Sequence, residues 1–253
     1  MHVYKTGEAE HDTIPEGAYA WTTDGNYIDL TSYDELVATT WPFKLTSFKP
    51  SSYVLEIGSP ASDTFSWNYD NNKHTINTQT LTLTSKTPSS NDSGTVIGTK
   101  SYNVASGTKS QVATSADLNV LCSQRATITA RLDCTNSSDL STSSSTVIQA
   151  IHPKYWGVLS TNTVPTTTIG LTKILEYGSK TILNNIILAN QYLVFMYPVE
   201  FGFSEIKNIT DGSAPYIGAF NTGTTTIAGT TYRYYIMDKP GNITWSQLQF
   251  LLA

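Results

Sequence analysis

The chain has 253 residues and a formal net charge of -5, and only 14% of its residues are charged, against roughly 25% in an ordinary globular protein. Lys and Arg are few and scattered, which argues against a nucleic-acid-binding surface because no basic stripe could neutralise a run of phosphates. No apolar run approaches the roughly 20 residues of a membrane helix, and the polar stretch from Met1 to Asp12 predicts no secretory signal.

Composition also indicates the fold class. Ser and Thr make up about a quarter of the chain, and Thr, Tyr, Val and Ile favour strands because branched and aromatic side chains pack well on a pleated surface. Gly, Asn, Asp and Ser recur at short intervals, as turns require. We therefore predict an all-β protein.

Residues 1–41 differ from the rest of the chain, since they mix acidic residues with isolated aromatics and show little strand periodicity. The stretch from Leu30 to Val37 favours a short helix capped by Thr31 or Ser32. Scattered aromatics with few aliphatics suit a segment that lies on another surface. We interpret this segment as an extended arm that docks to a larger particle through Tyr19, Trp21, Tyr27, Tyr33 and Trp41.

Residues 42–152 contain short strand-like segments separated by turns. Their alternation and spacing, with a Trp in one strand, predict an Ig-like β-sandwich with Trp67 between the sheets. The Ser- and Thr-rich run from Thr135 to Thr146 is then a long loop or an edge-strand return. The predicted strands are Phe43 to Phe48, Tyr53 to Gly58, Thr64 to Tyr69, Ile76 to Leu83, Val96 to Val104, Ala126 to Leu132 and Val147 to Ile151.

The chain has two cysteines, Cys122 and Cys134, which are too few for a disulfide scaffold. A disulfide between them and two small buried thiols are both compatible with the sequence. We favour the thiols, because a protein made in a reducing cytosol keeps its cysteines reduced.

Pro153 marks the start of a second small antiparallel β-domain over residues 153–253, since Pro cannot continue a central strand. Its predicted strands are Thr181 to Leu188, Tyr192 to Tyr197, Tyr232 to Met237 and Trp245 to Leu252. The alternation from Ile227 to Ile236 predicts a hairpin that turns at Ala228, Gly229 and Thr230.

Aromatics among Asn, Thr and Gly in this domain suit stacking on sugar rings, so they are candidate glycan contacts. They are Tyr216, Phe220, Tyr232, Tyr234 and Tyr235. The alternative, which we favour, is that alternate members of the run from Tyr232 to Ile236 are core residues, because a strand buries every second side chain.

The sequence offers no placed catalytic or metal-binding constellation, so we expect no enzyme, no cofactor and no metal. The only cluster of metal-ligand types is His2, Glu8, Glu10, His11 and Asp12, which we interpret as a solvated acidic arm. A hydrolase triad is not indicated either, because no Gly-x-Ser-x-Gly elbow occurs and the histidines lie in turns and tails. The strand-borne acids Glu56, Glu200 and Glu205 are the weak basis for a glycosidase alternative.

Four short motifs together resemble a domain pair found in tail, baseplate and fibre-like structural proteins of bacteriophages and prophages. In those proteins an Ig-like module with an E-x-G strand and a Trp-containing strand leads into an aromatic-aromatic-Gly-Val segment and an aromatic-Tyr-Pro-x-x-aromatic-Gly motif. The likeness covers roughly residues 45 to 253 and carries no catalytic residue across. The matching residues here are Glu56 to Gly58, Trp67, Tyr155 to Val158 and Tyr197 to Gly202.

The resemblance implies a virion component made in the bacterial cytoplasm, with other virion proteins and copies of itself as partners. We expect a homo-oligomer, with a trimer favoured because virion parts are copied by symmetry. The alternatives are a receptor-binding tip that recognises bacterial surface glycan and a phage-borne glycan hydrolase.

Overall fold

The structure is a computed structural model that describes residues 19–21, 27–29, 43–70, 75–89, 94–137, 139–202, 205–212 and 214–251, with backbone alone in the first two ranges. Most described residues lie in strands, and the sheets are largely antiparallel, so the predicted all-β class is confirmed. The chain divides into two compact units. The first unit consists of Met1–Tyr53, Ala61–Leu121 and Thr127–Ile148. The second unit consists of Val54–Pro60, Cys122–Ala126 and Gln149–Ala253.

The described residues of the first unit form two main sheets and one two-stranded ribbon. Strands β3, β5 and β8 form one sheet in that order, and β10, β9, β6 and β7 are neighbours in the other. Strands β1 and β2 pair with each other in an antiparallel ribbon. The bounds are β1 Tyr19–Trp21, β2 Tyr27–Asp29, β3 Lys44–Pro50, β5 Asp63–Asp70, β6 Ile76–Lys86, β7 Val96–Val104, β8 Ser110–Ala113, β9 Ala126–Asn136 and β10 Ser141–Ile151.

One short helix, α1 (Ser115–Leu121), follows β8 and buries Leu118 and Leu121. Thr114 Oγ1 accepts a hydrogen bond from the Asp117 N–H at 3.3 Å, which satisfies one of the unpaired donors at a helix start. Among the described residues, no helix has the length and apolarity needed to cross a membrane.

The Ser- and Thr-rich run from Thr135 to Thr146 is mostly strand, so of the two alternatives, a long loop and an edge-strand return, the structure agrees with the strand. It forms the end of β9 and the beginning of β10. The turn between them is tight, because Asn136 Oδ1 accepts from the Leu140 N–H at 3.0 Å. Small hydroxylated side chains remain compatible with a strand where one face meets water.

A buried polar contact joins the two sheets of the first unit. Trp67 on β5 is 2% exposed, and its indole Nε1–H donates to Gln79 Oε1 on β6 at 2.9 Å. The Gln79 amide nitrogen donates in turn to the Ala105 and Thr108 carbonyls at 2.9 and 3.1 Å. The indole N–H and both ends of the Gln79 amide therefore have hydrogen-bond partners, so burying this polar pair in the core leaves none of these groups unsatisfied.

The second unit contains one large sheet in which β12, β11, β13, β18, β14 and β15 are neighbours in that order, while β17 pairs with β13 and β16. Strand β4 pairs in parallel with Gln149–Ile151 of β10. The bounds are β4 Val54–Glu56, β11 Lys154–Leu159, β12 Thr172–Ile174, β13 Lys180–Pro198, β14 Glu205–Asn208, β15 Ala214–Pro215, β16 Phe220–Ile227, β17 Thr230–Met237 and β18 Gly241–Leu251. Two 3-10 turns, Ile209–Asp211 and Ile217–Ala219, lie on either side of β15.

The two strands predicted at Thr181 to Leu188 and Tyr192 to Tyr197 are one long strand, β13. Asn185 and Asn190 adopt positive φ angles of 52° and 54° within it, and the register against β18 shifts between Ala189 and Gln191. Asn tolerates this left-handed conformation better than most residues. The Asn residues thus act as irregularities inside one strand and do not end it.

Strand β13 is covered on both faces in its second half. Leu193, Phe195 and Tyr197 belong to one apolar core together with Trp245 and Phe250. Val194 and Met196 belong to a second core with Ile227, Tyr232 and Ile236. Because successive side chains point to opposite faces, a strand buried on both sides is apolar at every position.

The predicted hairpin over Ile227 to Ile236 is confirmed. Strands β16 and β17 are antiparallel, and Ile227 pairs with Thr230 across the turn. Ala228 and Gly229 have φ angles of 48° and 83°, as a two-residue type I′ turn requires.

Both cysteines are free and buried, which agrees with the favoured prediction of small core thiols. Burial raises the pKa of Cys122 to about 12. Burial, with the Asp133 carboxylate as a second cause, raises the pKa of Cys134 to about 11. Both side chains are therefore neutral thiols at ordinary pH.

Replacing Gln79 by Ala should destabilise the first unit by about 2–4 kcal/mol, because the Trp67 N–H and two carbonyls would lose their buried partner. The measurement is the free energy of unfolding from denaturant titration. Gln111→Ala is the matched control, since Gln111 Nε2 donates only to the neighbouring, solvent-exposed Val112 carbonyl. An equal cost for the two variants would contradict the role assigned to Gln79.

Candidate functional site

Two motif segments of the second unit begin on neighbouring strands of its large sheet, β11 and β13. Strand β11 carries Tyr155 to Val158, and these residues pair with Met196 to Leu193 of β13. Strand β17 lies on the other side of β13, where Pro198 pairs with Tyr232. Two stretches about 40 residues apart in the chain therefore meet as neighbouring strands.

Gly157 has a steric role in this arrangement. A Cβ at this position would come within 2.7 Å of Leu171 Cδ2 and 3.3 Å of the Gly170 carbonyl oxygen. The absence of a side chain at Gly157 lets the segment before β12 pass close to β11.

A tyrosine pair lies at the centre of a polar cluster that we name the motif cluster: Glu56, His152, Tyr155, Lys173, Glu200 and Tyr232. The Tyr155 and Tyr232 rings meet edge to face, with centroids 5.7 Å apart. Burial raises the pKa of Tyr232, and the Tyr155 hydroxyl and the Glu200 and Glu56 carboxylates raise it further. Burial, followed by Glu56, also raises the pKa of Tyr155. Both phenols therefore remain protonated at ordinary pH.

Each carboxylate of the motif cluster has a cationic or ionisable partner. Lys173 Nζ donates to Glu56 Oε2 at 2.8 Å, and this hydrogen bond is the main cause that raises the pKa of Lys173. His152 Nδ1 lies 3.4 Å from Glu200 Oε1. Both pairs are partly exposed, so each is worth only about 0–1 kcal/mol, and their main effect is to orient the segments that carry them.

The turn after β13 is held by two cations. The Phe201 side chain is buried. Its ring centroid lies 4.9 Å from the Arg125 guanidinium carbon and 5.8 Å from Lys154 Nζ. Arg125 also donates to the Glu200 carbonyl at 3.0 Å, and the Phe201 N–H donates to the Pro198 carbonyl at 3.0 Å. Cations over an aromatic face are favourable, more so when they are desolvated.

Lys154 is fully buried. Its ammonium donates to Thr181 Oγ1 at 2.9 Å, with the Gly178 carbonyl at 3.4 Å. Burial lowers the pKa of Lys154, while the Glu176 carboxylate opposes the shift. Lys154 and Arg125 were not among the candidate residues predicted from sequence. The only sequence feature that could have indicated a special role for Lys154 is its position directly before the aromatic residues Tyr155 and Trp156.

The side chains of the motif cluster contact one another through ion pairs and an aromatic contact. Its two carboxylates have cationic or ionisable partners, its two phenols have raised pKa values, and the nearby buried ammonium is hydrogen-bonded. Such an arrangement holds β4, β11, β12, β17 and the turn after β13 together in the second unit. Within the ranges that the structure describes, no three His, Cys, Asp or Glu side chains come together as a metal site would require.

The five candidate glycan contacts do not form one exposed platform, which favours the core alternative. Phe220, Tyr232 and Tyr235 are 8%, 3% and 2% exposed, and Tyr216 and Tyr234 are half-buried. Tyr216, Phe220 and Tyr235 pack in the core that contains Trp245, whereas Tyr232 and Tyr234 pack in the core that contains Val194. The physical reason is that β17 contributes to a core on each face, through Tyr232 and Ile236 on one and Tyr235 and Met237 on the other, and the favoured core alternative holds for Tyr232 and Ile236.

Tyr234 has a defined structural role. It pairs with Gly223 of β16, and a Cβ on Gly223 would come within 2.5 Å of the Tyr234 hydroxyl and 2.8 Å of its Cζ atom. The ring thus lies across the glycine, an arrangement that compensates for the missing side chain in a strand.

The side chains of all five predicted docking residues lie outside the part that the structure describes. Tyr19 and Trp21 bound β1, and Tyr27 begins β2. Tyr33, Trp41, the helix predicted from Leu30 to Val37 and the acidic cluster from His2 to Asp12 fall outside the described residues.

Gly223→Ala should destabilise the protein by about 1–3 kcal/mol, because the new methyl group displaces the Tyr234 ring from the sheet. Chemical denaturation followed by tyrosine and tryptophan fluorescence measures the change. Gly218→Ala is the control, since a Cβ there meets nothing within 4 Å. Equal stability of the two variants would show that the ring adapts without cost.

Lys154→Met should remove a pH dependence of stability. Burial lowers the folded-state pKa of Lys154 below the ordinary value of 10.5, so the unfolded chain binds this proton more tightly. Lys154 therefore makes the wild-type free energy of unfolding increase as the pH rises from the folded-state pKa of Lys154 to about 10.5. The increase is at most about 1.4 kcal/mol per pH unit.

The variant should lack this gain, and the measurement is a series of denaturant titrations between about pH 7 and pH 10. Lys180→Met, at an exposed lysine of β13, should follow the wild type across the series. Parallel curves for wild type and Lys154→Met would contradict a lowered pKa at Lys154.

Neither a protein-family model, nor a curated protein, nor a solved structure matches this chain. The likeness to phage structural proteins therefore rests on the short motifs, three of which lie in the second unit.

Proposed function

We propose that this chain is a non-enzymatic structural component of a bacteriophage particle. The observation that carries the proposal is that the motif residues Glu56, Tyr155 and Glu200, distant in sequence, meet in the motif cluster. The two longer motif segments also lie on neighbouring strands: Tyr155 to Val158 belong to β11, and Tyr197 and Pro198 end β13 directly after the residues that pair with β11. A set of motifs that forms one packed unit supports a shared architecture better than the same motifs scattered over the surface.

Two further properties support a structural role. The carboxylates and the buried lysine are engaged with partners inside the second unit, which favours support of the fold over acid-base chemistry. The low charge and the many Ser and Thr residues suit a surface exposed outside a cell. In this proposal residues 1–41 dock to the particle and the two units are displayed from it in several symmetric copies.

The glycan-binding alternative has less support. Three of its five candidate residues are buried, and the two half-buried ones belong to different cores. The hydrolase alternative has Glu200 as its best acid, but this carboxylate lies beside His152 at the turn that Arg125 holds.

The proposal predicts that the protein is present in repeated copies on purified particles of the phage or prophage that encodes it. Mass spectrometry of gradient-purified particles should detect the chain. Antibodies raised against the purified protein should place gold label at one defined position in negative-stain micrographs.

Absence of the chain from intact particles would overturn the structural assignment. The non-enzymatic part is tested by incubating the purified protein with host-envelope polysaccharide. Release of reducing ends by the wild type and not by Glu200→Gln would contradict it.

A further inference from the structure

Strand β16 is a long, regular sheet edge. Among the described strands it pairs with β17 alone, and the pairing runs without a register shift from Phe220 and Met237 to Ile227 and Thr230. The strand contains no charged residue and no proline. A straight uncharged edge of this kind is a template for a further strand.

Several other sheet edges in the described residues carry features that discourage such pairing. Strand β3 contains Lys49 and Pro50, and β7 contains Lys100. The first half of β13 is interrupted by Asn185 and Asn190 in left-handed conformations. Strands β8, β12 and β15 have only four, three and two residues. Charges, prolines, irregularities and short length are the usual means of blocking edge-to-edge association.

The geometry of the hairpin determines which backbone groups of β16 face outward. In a two-residue hairpin the residues flanking the turn, here Ile227 and Thr230, form a hydrogen-bonded pair, and such pairs alternate along the ladder. The N–H and C=O groups of Thr222, Thr224 and Thr226 therefore point away from β17. The side chains of these three residues are exposed as well.

We propose that two copies of this chain associate through β16, which pairs antiparallel with β16 of the second copy about a two-fold axis at Thr224. Thr224 then lies opposite Thr224, and Thr222 lies opposite Thr226. Each of these pairs exchanges two main-chain hydrogen bonds, and the sheet of the second unit continues into its copy as in other cases of strand addition. This association goes beyond the proposed structural role and does not depend on it, and it replaces the trimer favoured from sequence by a dimer.

The sequence of β16 favours a second copy as the occupant. A two-fold contact requires a patch that is complementary to itself, and the three outward positions are occupied by the same residue type, so no unlike side chains oppose each other. Cross-strand Thr pairs are favourable. The nearest charge on this face is Arg233, which pairs with Thr224 from β17. The two Arg233 residues would be three strand spacings apart, about 14 Å, where salt screens their repulsion.

Thr224→Lys tests the proposal, because it would place two ammonium groups opposite each other at the two-fold axis while leaving the hydrogen bonds between β16 and β17 intact. The matched control is Thr231→Lys, which adds the same charge at an exposed position of β17, away from the edge. Sedimentation equilibrium of the full chain should give twice the 27.7 kDa protomer mass for wild type and Thr231→Lys. For Thr224→Lys the dissociation constant should rise by about tenfold or more.

A wild-type protein that stays monomeric up to about 100 µM, or a mass of three protomers, would overturn the two-fold contact, and so would equal association of the two variants. Hydrogen exchange of the wild type decides the matter if Thr224→Lys does not fold. The amides of Thr222, Thr224 and Thr226 should exchange more slowly as protein concentration rises, and concentration-independent exchange would also overturn the proposal. Because these measurements use purified protein, they can fail while the chain is still found on particles.

Discussion

The structure of the second unit depends on the burial of β13 on both faces. Every residue from Leu193 to Pro198 is buried, with β11 on one side and β17 on the other. A strand in this position needs an apolar layer above and below it, which explains why its neighbours supply so many aromatic residues. The stacked Phe195 and Phe250 rings, 4.0 Å apart, are part of one layer, and Tyr232 is part of the other.

The burial of β13 on both faces also determines where polar side chains lie around it. The end of β13 has to leave the sheet at Pro198, and the turn that follows is held by Arg125 and Lys154 around the Phe201 ring. The Lys154 ammonium is buried at this point, and its hydrogen bond to Thr181 satisfies it at the beginning of the same long strand. Both ends of β13 are thereby connected to one buried cation. The motif cluster adds partly exposed ion pairs whose value lies in orientation more than in free energy.

The predictions from sequence succeeded where the signal is local. The turn at Ala228 and Gly229 follows from the flanking alternation and from the conformational freedom of Gly, and the strand containing Trp67 follows from period-two patterning. They failed where two segments had to be combined. Asn190 is a residue type typical of turns, yet β13 and β18 pair on both sides of it, so the register shifts there and the strand does not end.

By itself, the sequence determined the all-β class, the position of most strands and the two-residue hairpin, because alternation and turn chemistry act over a few neighbouring residues. Only the tertiary structure decided which aromatics are buried. Tyr235 and Tyr234 have similar local surroundings in the chain, but Tyr235 faces the core with Trp245 and Tyr234 lies over Gly223. Burial depends on which layer covers each face of the sheet, and those layers come from residues far away in the chain.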